Sequence, residues 1–365
     1  MKKINKSTSL LQKILKQPEE VIDTMDLIYL KSEQLSIARK REGKKFQYAL
    51  NGKLINVKSQ LNRIDKLVIP PAWEDVKIAH LPNGHLQAIG YDLKNRKQYR
   101  YHPTWNSIRN QTKFYKMGIF GRQLPKIRRV VENDLAQSGW PKSKVMALII
   151  RLMEETHIRI GNEQYAKRNS TYGLSTLRSR HIKTFKDKIK FQFIGKRGKE
   201  HNITLRNKKL MRLVNRCEEI PGWELFKFYD ENGNKQVVES GMVNEYIHGI
   251  CGELFTAKDF RTWAASLVFF ESLQAMKAPK TEKRIQKNIL SAFDQAAKEL
   301  GNTRNVCRKY YVHPALVENY EDNLLSTSFK LTNAVQDKDY FSSSEIAILK
   351  IYDEYTPDFM TAKNK

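Results

Sequence analysis

Short runs in which hydrophobic and polar residues alternate dominate the chain between residues 36 and 106. A period of two is typical of β-strands with one buried face. The pattern predicts two hairpins and a further strand: residues 46–50 with 53–57, residues 75–81 with 86–91, and residues 94–102. Asn51-Gly52 separates the first pair, and this dipeptide favours a two-residue hairpin turn.

From about residue 107 the hydrophobic positions recur at helical spacing. Residues 142–158 are strongly apolar on one side and predict a buried central helix, while residues 284–300 predict a long amphipathic helix. One more hairpin is predicted over residues 188–205, and its tip at residues 195–199 is rich in glycine and lysine. The second part of the chain is therefore expected to be mainly helical with one β-hairpin.

These patterns predict an α+β fold made of two domains and an extension. We expect a small N-terminal β-rich domain over residues 36–106 and a larger, mainly α-helical domain over residues 107–365. Residues 1–35 are polar and rich in lysine, and they form either one helix or a flexible arm. The length of 365 residues is sufficient for about two domains.

The composition adds a strong positive charge to this picture. The chain has 65 Lys and Arg residues against 39 Asp and Glu residues, a formal net charge of +26 and a sequence pI near 9.8. The excess is spread along most of the chain, which indicates a broad surface for a polyanion, and nucleic acid is the partner that such a surface favours. The alternative is a basic protein whose charged faces serve only to keep it in solution.

Several classes of function lack their sequence signals. Cys217, Cys251 and Cys307 are odd in number and far apart, so we expect neither a disulfide framework nor a structural zinc, and a reducing compartment fits. No apolar stretch is long enough to span a membrane, and no apolar core of a secretion signal follows the N-terminal lysines. No phosphate-binding glycine motif points to ATP or a dinucleotide.

The candidate chemistry centres on residues 301–314, which follow the amphipathic helix. Gly301 stands where a helix-ending glycine is expected, Asn302 and Thr303 can cap a new short helix, and Pro314 limits how far that helix runs. Tyr311 therefore ends a short helix rich in Arg and Lys. Our hypothesis is that this tyrosine is a nucleophile for a DNA phosphate, although on this stretch alone an ordinary core or surface tyrosine is the better explanation.

Three basic side chains stand in contexts that suit an anion. Arg159 lies at the edge of an apolar run, where it must either pair with an acidic residue or serve an anion. Lys196 lies at the hairpin tip, which either reaches into a DNA groove or is a solvated basic turn. Arg261 follows Asp259, and this carboxylate either orients the arginine or caps a helix start.

The predicted strand over residues 94–102 interleaves basic and aromatic residues. Alternation places Tyr99 and Tyr101 on one face and Gln98 and Arg100 on the other. Such a surface can lie in a DNA groove, where Gln pairs with adenine and Arg with guanine or phosphate. As an isolated motif the signal is weak, since aromatic strands usually belong to a core.

Five short motifs follow one another in a fixed order. They are Ile-Pro-Pro-Ala-Trp at 69–73, Lys-Gln-Tyr-Arg-Tyr-His at 97–102, Ile-Arg-Ile-Gly-Asn-Glu at 158–163, Tyr-Gly-Leu-Ser-Thr-Leu at 172–177 and Thr-Ala-Lys-Asp-Phe-Arg-Thr-Trp at 256–263. Their order and spacing resemble the type IB DNA topoisomerases, in the poxvirus-like and bacterial branch, over about residues 36–320. This order is far more specific than any one motif, and it favours the functional interpretation of each basic residue above.

The resemblance implies a role for each of five candidate catalytic residues. Tyr311 would attack a backbone phosphate and form a 3′-phosphotyrosyl bond, while Arg159 and Arg261 would hold the non-bridging oxygens. Lys196 would protonate the leaving 5′-hydroxyl. Asn302 falls where poxviral and nuclear enzymes carry a histidine, and the bacterial branch is similar to this chain in having asparagine there. An asparagine can donate a hydrogen bond but carries no charge.

The resemblance also implies how the whole molecule works. The two domains would close as a clamp around double-stranded DNA, and the protein would act as a cytoplasmic monomer, associated with the nucleoid in a bacterium. We expect the following side chains to contact the DNA: Gln98, Tyr99, Arg100, Tyr101, Tyr165 and Lys258. No cofactor is expected, because breaking one ester makes another and because Arg and Lys charges can take the place of a metal.

Two other functions remain as alternatives. A tyrosine recombinase uses similar residues on a related catalytic fold, but recombinases usually carry His-x-x-Arg where this chain has Lys258-Asp-Phe-Arg261. A non-enzymatic, basic DNA-binding protein would explain the charge of +26, but it would not explain the ordered Arg, Lys, Arg and Tyr.

The net charge predicts that DNA binding weakens steeply with salt. Each phosphate that the protein neutralises releases counterions, so the logarithm of the binding constant should fall with a slope of about −0.9 per phosphate against the logarithm of the salt concentration. Equilibrium titrations of a short duplex over a range of salt concentrations measure this slope. A slope near zero would contradict the electrostatic interpretation.

Overall fold

A computed structural model describes residue 9 and residues 11–43, 45–338 and 340–361. The chain forms two compact units, Met1–Lys113 with Thr356–Lys365, and Phe114–Tyr355. Residues 1–8 and Leu10 of the predicted extension lie outside the described residues, while residues 11–16 form a helix, α1. The predicted boundary between residues 106 and 107 stays a prediction.

Six strands form one antiparallel sheet in the described part of the first unit, in the order β3-β2-β1-β4-β5-β6. Their bounds are β1 Ile37–Glu42, β2 Lys45–Leu50, β3 Lys53–Leu54, β4 Glu74–Ile78, β5 Leu86–Tyr91 and β6 Lys97–Tyr101. Both predicted hairpins and the further strand are present. Asn51 and Gly52 adopt φ values of 49° and 84°, as the predicted two-residue turn requires.

One helix covers this sheet. Helix α2, Lys58–Lys66, buries Ile64 against Ile37, Val76 and Ile78 of the strands. The unit also contains three short 3-10 helices, Pro18–Glu20, Ile22–Met25 and Ser32–Gln34, and helix α14, Asp358–Thr361. The β-rich character predicted for this part of the chain is therefore confirmed.

The second unit is mainly helical, as predicted. Its helices are α3 Pro103–Ala136, which begins in the first unit, α4 Lys142–Thr156, α5 Glu163–Asn169, α6 Lys208–Glu218, α7 Ser240–Cys251, α8 Ala257–Gln274, α9 Glu282–Glu299, α10 Arg304–Tyr310, α11 Pro314–Glu321, α12 Leu325–Ala334 and α13 Ser343–Glu354. Its strands are β7 Ile182–Thr184, β8 Ile189–Ile194, β9 Glu200–Leu205, β10 Lys227–Tyr229 and β11 Lys235–Val237. The predicted hairpin is the pair β8–β9, in which Phe193 faces His201.

Helix α4 is the centre of the core, as its apolar pattern predicts. Its residues from Val145 to Ile150 are all buried, and it packs against α6, α7, α8 and β9. His157 ends the helix with a left-handed backbone conformation, φ 54°, and its N–H bonds back to Met153 O at 3.0 Å. This turn redirects the chain into the extended segment that carries Arg159.

The C-terminal tail, to which the sequence pattern assigned no function, contributes to the core of the second unit as far as residue 355. Glu345 at the start of α13 receives two hydrogen bonds from Arg128, at 2.7 and 2.8 Å, and one from Trp263 Nε1 at 2.9 Å. Glu154 also pairs with Arg128, at 2.9 Å. Since Trp263 lies two residues after Arg261 on α8, the tail braces the helix that presents this arginine.

The Glu345→Ala variant is expected to lose about 3–5 kcal/mol of unfolding free energy, because it leaves the buried Arg128 charge with a single carboxylate. The same two helices, α3 and α13, offer a matched control in the exposed Arg122–Asp353 pair. Asp353→Ala should cost about 0–1 kcal/mol. Denaturant unfolding measures both changes, and equal losses would show that burial of the Glu345 network is not what stabilises this contact.

Candidate active site

Backbone pairing places Arg159. Leu174 N donates to Arg159 O at 2.8 Å, and Ser175 N donates to Ile160 O at 2.7 Å. A Cβ atom at Gly173 would overlap Arg159 O, so the two segments approach this closely only because residue 173 is glycine. The motifs at 158–163 and 172–177 are therefore two sides of one structure that fixes the backbone beneath the arginine.

A capped helix start places Arg261. Asp259 accepts a hydrogen bond from Thr256 N at 2.8 Å in a capping box, and it pairs with the buried Lys116 at 2.7 Å. Of the two roles considered for Asp259, capping is the one that the structure shows. Its carboxylate neutralises a lysine and leaves Arg261 to other partners.

The guanidinium of Arg261 is buried, with only 4% of the residue exposed. Its Nη1 donates to His157 O and its Nη2 donates to Leu300 O at 2.8 Å, while its Nε has no hydrogen-bond partner among the described residues. The Cζ atom lies 5.7 Å from the centre of the Tyr311 ring. Two backbone carbonyls therefore hold a positive charge against the face of the candidate nucleophile.

Asn302 and Tyr311 lie on the turn and short helix that the sequence predicts. Gly301 has φ 59°, Thr303 caps α10 through a bond from Val306 N, and Tyr311 directly follows the last residue of the helix. Asn302 Oδ1 accepts a hydrogen bond from Arg159 Nη2 at 2.5 Å. The structure therefore brings Arg159, Asn302 and Tyr311 into one site with Arg261.

The amide nitrogen of Asn302 points into the protein. Nδ2 is buried and has no oxygen or nitrogen partner among the described residues, and the Cys307 thiol, a weak acceptor, lies beside it. Burial raises the pKa of Cys307, so this thiol stays protonated at neutral pH. Asn302 therefore acts on the site through its oxygen, which holds Arg159, while its nitrogen faces the buried Cys307.

The neighbouring cations act on the Tyr311 hydroxyl. Burial alone would raise its pKa, but the charges of Arg261 and Arg159 and a hydrogen bond from Arg261 outweigh this effect and lower the pKa below its usual value. Tyr311 is half-buried, whereas 47% of the adjacent Tyr310 is exposed. The site therefore makes Tyr311 easier to ionise than a free tyrosine.

Lys196 stands at the hairpin tip, directly after Gly195. It is open to solvent, yet crowding by protein atoms and then the charge of Arg159 lower the pKa of Lys196, while Tyr311 acts in the opposite direction. Lys258, which is exposed in the first turn of α8, also lowers it. A lysine with a lowered pKa gives up its proton more readily, as a general acid must.

The predicted DNA-contacting residues lie in both units. On β6, Tyr99 and Tyr101 share a face as predicted, with ring centres 5.9 Å apart. Gln98 Nε2 donates to Asp92 at 3.0 Å and Arg100 donates to Val68 O at 2.6 Å, so both side chains have partners within the first unit. In the second unit, Tyr165 on α5 and Lys258 on α8 are exposed. Their contact with DNA stays a prediction.

Three groups at the site carried no signal in the sequence pattern. The carbonyls of His157 and Leu300 act through the backbone, which any residue could supply, and only the helix-ending positions of these residues hint at them. Lys116 lies 143 residues before Asp259, and nothing in the spacing relates the two.

Comparison with known proteins identifies the family. Residues 102–338 match the model of the eukaryotic DNA topoisomerase I catalytic core, and residues 45–92 match that of the bacterial DNA topoisomerase IB N-terminal domain. The chain belongs to the type IB DNA topoisomerases. The resemblance and the fold class expected from the sequence are thereby confirmed, and this family is favoured over a recombinase or a non-enzymatic binder.

Three viral relatives span most of this type IB chain. The DNA topoisomerase 1B of Acanthamoeba polyphaga mimivirus is 36% identical over 296 residues, covering 79% of this chain and 88% of that protein. The DNA topoisomerase 1B of Vaccinia virus (strain Copenhagen) is 24% identical over 291 residues, covering 76% and 85%. The DNA topoisomerase 1 of Rabbit fibroma virus (strain Kasza) is 27% identical over 258 residues, covering 68% and 75%.

Two other kinds of site are absent from the described part of this type IB chain. Among its residues, no three His, Cys, Asp or Glu side chains form a group that could hold a metal ion. No helix within the described ranges is both long and apolar enough to cross a membrane.

Arg159→Ala and Arg261→Ala are expected to slow single-turnover DNA cleavage by at least about 10²–10³-fold, because each removes a preorganised donor from the developing charge. DNA binding should persist, since many other cations remain. Arg304→Ala is the matched control: it removes an exposed arginine of α10 that pairs with Asp294 at 2.5 Å. An arginine variant that cleaves within a few-fold of the native protein would refute the assignment.

Proposed function

We propose that this chain relaxes supercoiled double-stranded DNA by cutting one strand through a covalent bond to Tyr311 and rejoining it. The observation that carries the proposal is the position of Tyr311 against the guanidinium of Arg261, with Arg159 and Asn302 in the same site. Membership in the type IB family supports the same reaction.

The cleavage step exchanges one phosphate ester for another. The Tyr311 oxygen forms a bond to phosphorus, and the bond from phosphorus to the 5′-oxygen of the next nucleotide breaks. The phenolic proton passes to solvent, and the 5′-oxygen takes a proton from Lys196. The products are a 3′-phosphotyrosyl bond and a free 5′-hydroxyl, and the lowered pKa of Tyr311 assists the attack.

The two arginines and Asn302 stabilise the charge on the phosphate. Arg159 and Arg261 present rigid donors to the non-bridging oxygens, and partial burial strengthens these interactions because it removes competing water. Asn302 orients Arg159 by accepting a hydrogen bond through its Oδ1. Lys258 adds positive charge at the mouth of the site.

Rejoining is the reverse reaction. The free 5′-hydroxyl attacks the phosphotyrosine, returns its proton to Lys196 and releases Tyr311. Because the ester energy is retained in the covalent intermediate, no ATP is needed, and torsional strain in the duplex drives relaxation. The fixed Arg and Lys charges supply the electrostatic stabilisation for which other phosphoryl-transfer enzymes use Mg²⁺, so we expect Mg²⁺ to be optional.

Three further points belong to this proposal. A single copy acts on each duplex, so the initial relaxation rate should be first order in protein. The exposed Tyr99 and Tyr165 contact the DNA, together with the other assigned side chains of β6 and with Lys258. The three unpaired cysteines fit action in a reducing compartment, the cytoplasm.

Relaxation of supercoiled plasmid in EDTA without ATP tests the proposal. Native protein should relax the plasmid, and Tyr311→Phe should abolish relaxation and the covalent adduct while retaining DNA binding. Tyr310→Phe is the matched control, because it removes the hydroxyl of the exposed neighbour, and it should relax the plasmid at close to the native rate.

The opposite pattern would contradict the assignment of Tyr311 as the nucleophile. If Tyr311→Phe still forms a covalent adduct and Tyr310→Phe does not, Tyr310 is the nucleophile. If native protein forms no adduct and leaves the plasmid supercoiled, the proposed reaction is wrong.

A further inference from the structure

We propose that His201 is a positioning residue, whose ring docks the tip of the β8–β9 hairpin, and with it Lys196, onto the turn that carries Asn302. The proposal rests on the function assigned above to Lys196. In this proposal His201 does not contact the reacting atoms and acts through Lys196 and Asn302.

The imidazole of His201 occupies a slot between two glycines. A Cβ atom at Gly195 would lie 2.6 Å from His201 Cδ2 and Nε2, and a Cβ atom at Gly301 would lie 2.5 Å from His201 Cε1. Real Cβ atoms do not approach other heavy atoms so closely, so the ring fits only because both walls lack a side chain. Gly195 directly precedes Lys196, and Gly301 directly precedes Asn302.

Two more contacts hold the ring and the tip. His201 stacks on Phe193, its partner across the hairpin, with ring centres 4.9 Å apart and planes inclined by 12°. Lys199 Nζ donates to Asn302 O at 3.4 Å, near the limit for a hydrogen bond. Without the imidazole, this long hydrogen bond would be what connects the tip to the turn among the described residues.

The ring acts as an uncharged spacer. Burial in the first place, and then the charges of Arg159, Lys199 and Arg261, lower the pKa of His201 to about 4. These three cations face the imidazole from the segment after α4, from the hairpin and from α8. The ring is therefore neutral at physiological pH, which makes it unsuitable as the proton donor and leaves that role to Lys196.

This arrangement explains how a solvent-exposed lysine can deliver a proton to a defined atom. The tip is a short turn in which Arg197 has φ 66°, and the Lys196 side chain makes no hydrogen bond within the described part of the chain. A mobile general acid spends little time in reach of the leaving oxygen, and positioning within about 1 Å is needed for efficient catalysis. The His201 ring between Gly195 and Gly301 restricts the backbone that carries Lys196.

The chemistry of the leaving group provides a selective test. In a DNA substrate in which sulfur replaces the bridging 5′-oxygen, the leaving group is a 5′-thiolate. Its conjugate acid, a thiol, has a pKa of about 8.5. Such a group leaves without a proton, so its departure does not depend on Lys196. A defect confined to delivery of the proton should therefore vanish on the sulfur substrate.

We expect His201→Ala to slow single-turnover cleavage of ordinary DNA by about 10²-fold, the lower end of what general acid catalysis contributes. On the sulfur substrate it should cleave within a few-fold of the native protein. Gly195→Ala should show the same pattern, because its Cβ displaces the ring from the other side. The backbone at Gly195 has φ −99°, which alanine adopts without strain, so this second variant should fold.

Two control variants separate the possible failures. Lys196→Ala should be slow on ordinary DNA and restored by sulfur, whereas Arg159→Ala should be slow on both substrates. If sulfur restores Lys196→Ala but not His201→Ala or Gly195→Ala, the positioning role is wrong while the proposed function stands. If sulfur fails to restore Lys196→Ala, the acid assignment falls and the inference with it.

Native-like cleavage of ordinary DNA by both His201→Ala and Gly195→Ala would also overturn the inference. Thermal melting and duplex binding accompany each assay, and Gly195→Ala decides the question if His201→Ala fails to fold.

Discussion

The buried guanidinium of Arg261 is the constraint on which the rest of the site depends. No carboxylate among the described residues pairs with it, and its hydrogen bonds go to two backbone carbonyls and to the Tyr311 hydroxyl. A buried charge with only neutral partners is costly. The same low-dielectric surroundings strengthen its field, so the charge that is expensive to bury is also the one that acts most strongly on Tyr311 and on an arriving phosphate.

Helix ends reduce that cost. His157 directly follows α4 and Leu300 directly follows α9, so both carbonyls that hold Arg261 lie at helix C-termini. The unpaired carbonyls there carry partial negative charge and favour a cation. This explains why both segments must end where they do, with a left-handed residue at His157 and at Gly301. The geometry of helix termination is thus part of the electrostatics of the site.

Local sequence patterns predicted the helices, strands and turns, but they did not predict contacts between residues that are far apart in the sequence. The hairpin turn at Asn51-Gly52, the apolar α4 and the short helix before Tyr311 follow from rules that operate within a few residues. The link between Arg159 and Asn302 spans 143 residues, and that between Arg128 and Glu345 spans 217. Order along a family pattern suggested the first of these links. Nothing suggested the second, because charged residues are frequent in this chain and their pairing depends on tertiary packing.

The neutral Asn302 follows from the charge that already surrounds it. A guanidinium can only donate hydrogen bonds, so the amide oxygen must face Arg159, which turns the amide nitrogen away as a donor. An ionised histidine at this position would stand beside the same guanidinium, and its pKa would be depressed, as happens to His201. It would then be largely neutral and would offer a single N–H. Asparagine supplies the acceptor that Arg159 needs, and the positive charge that acts on Tyr311 comes from Arg261 and Arg159 themselves, so a neutral residue here removes little from the electrostatics of the site.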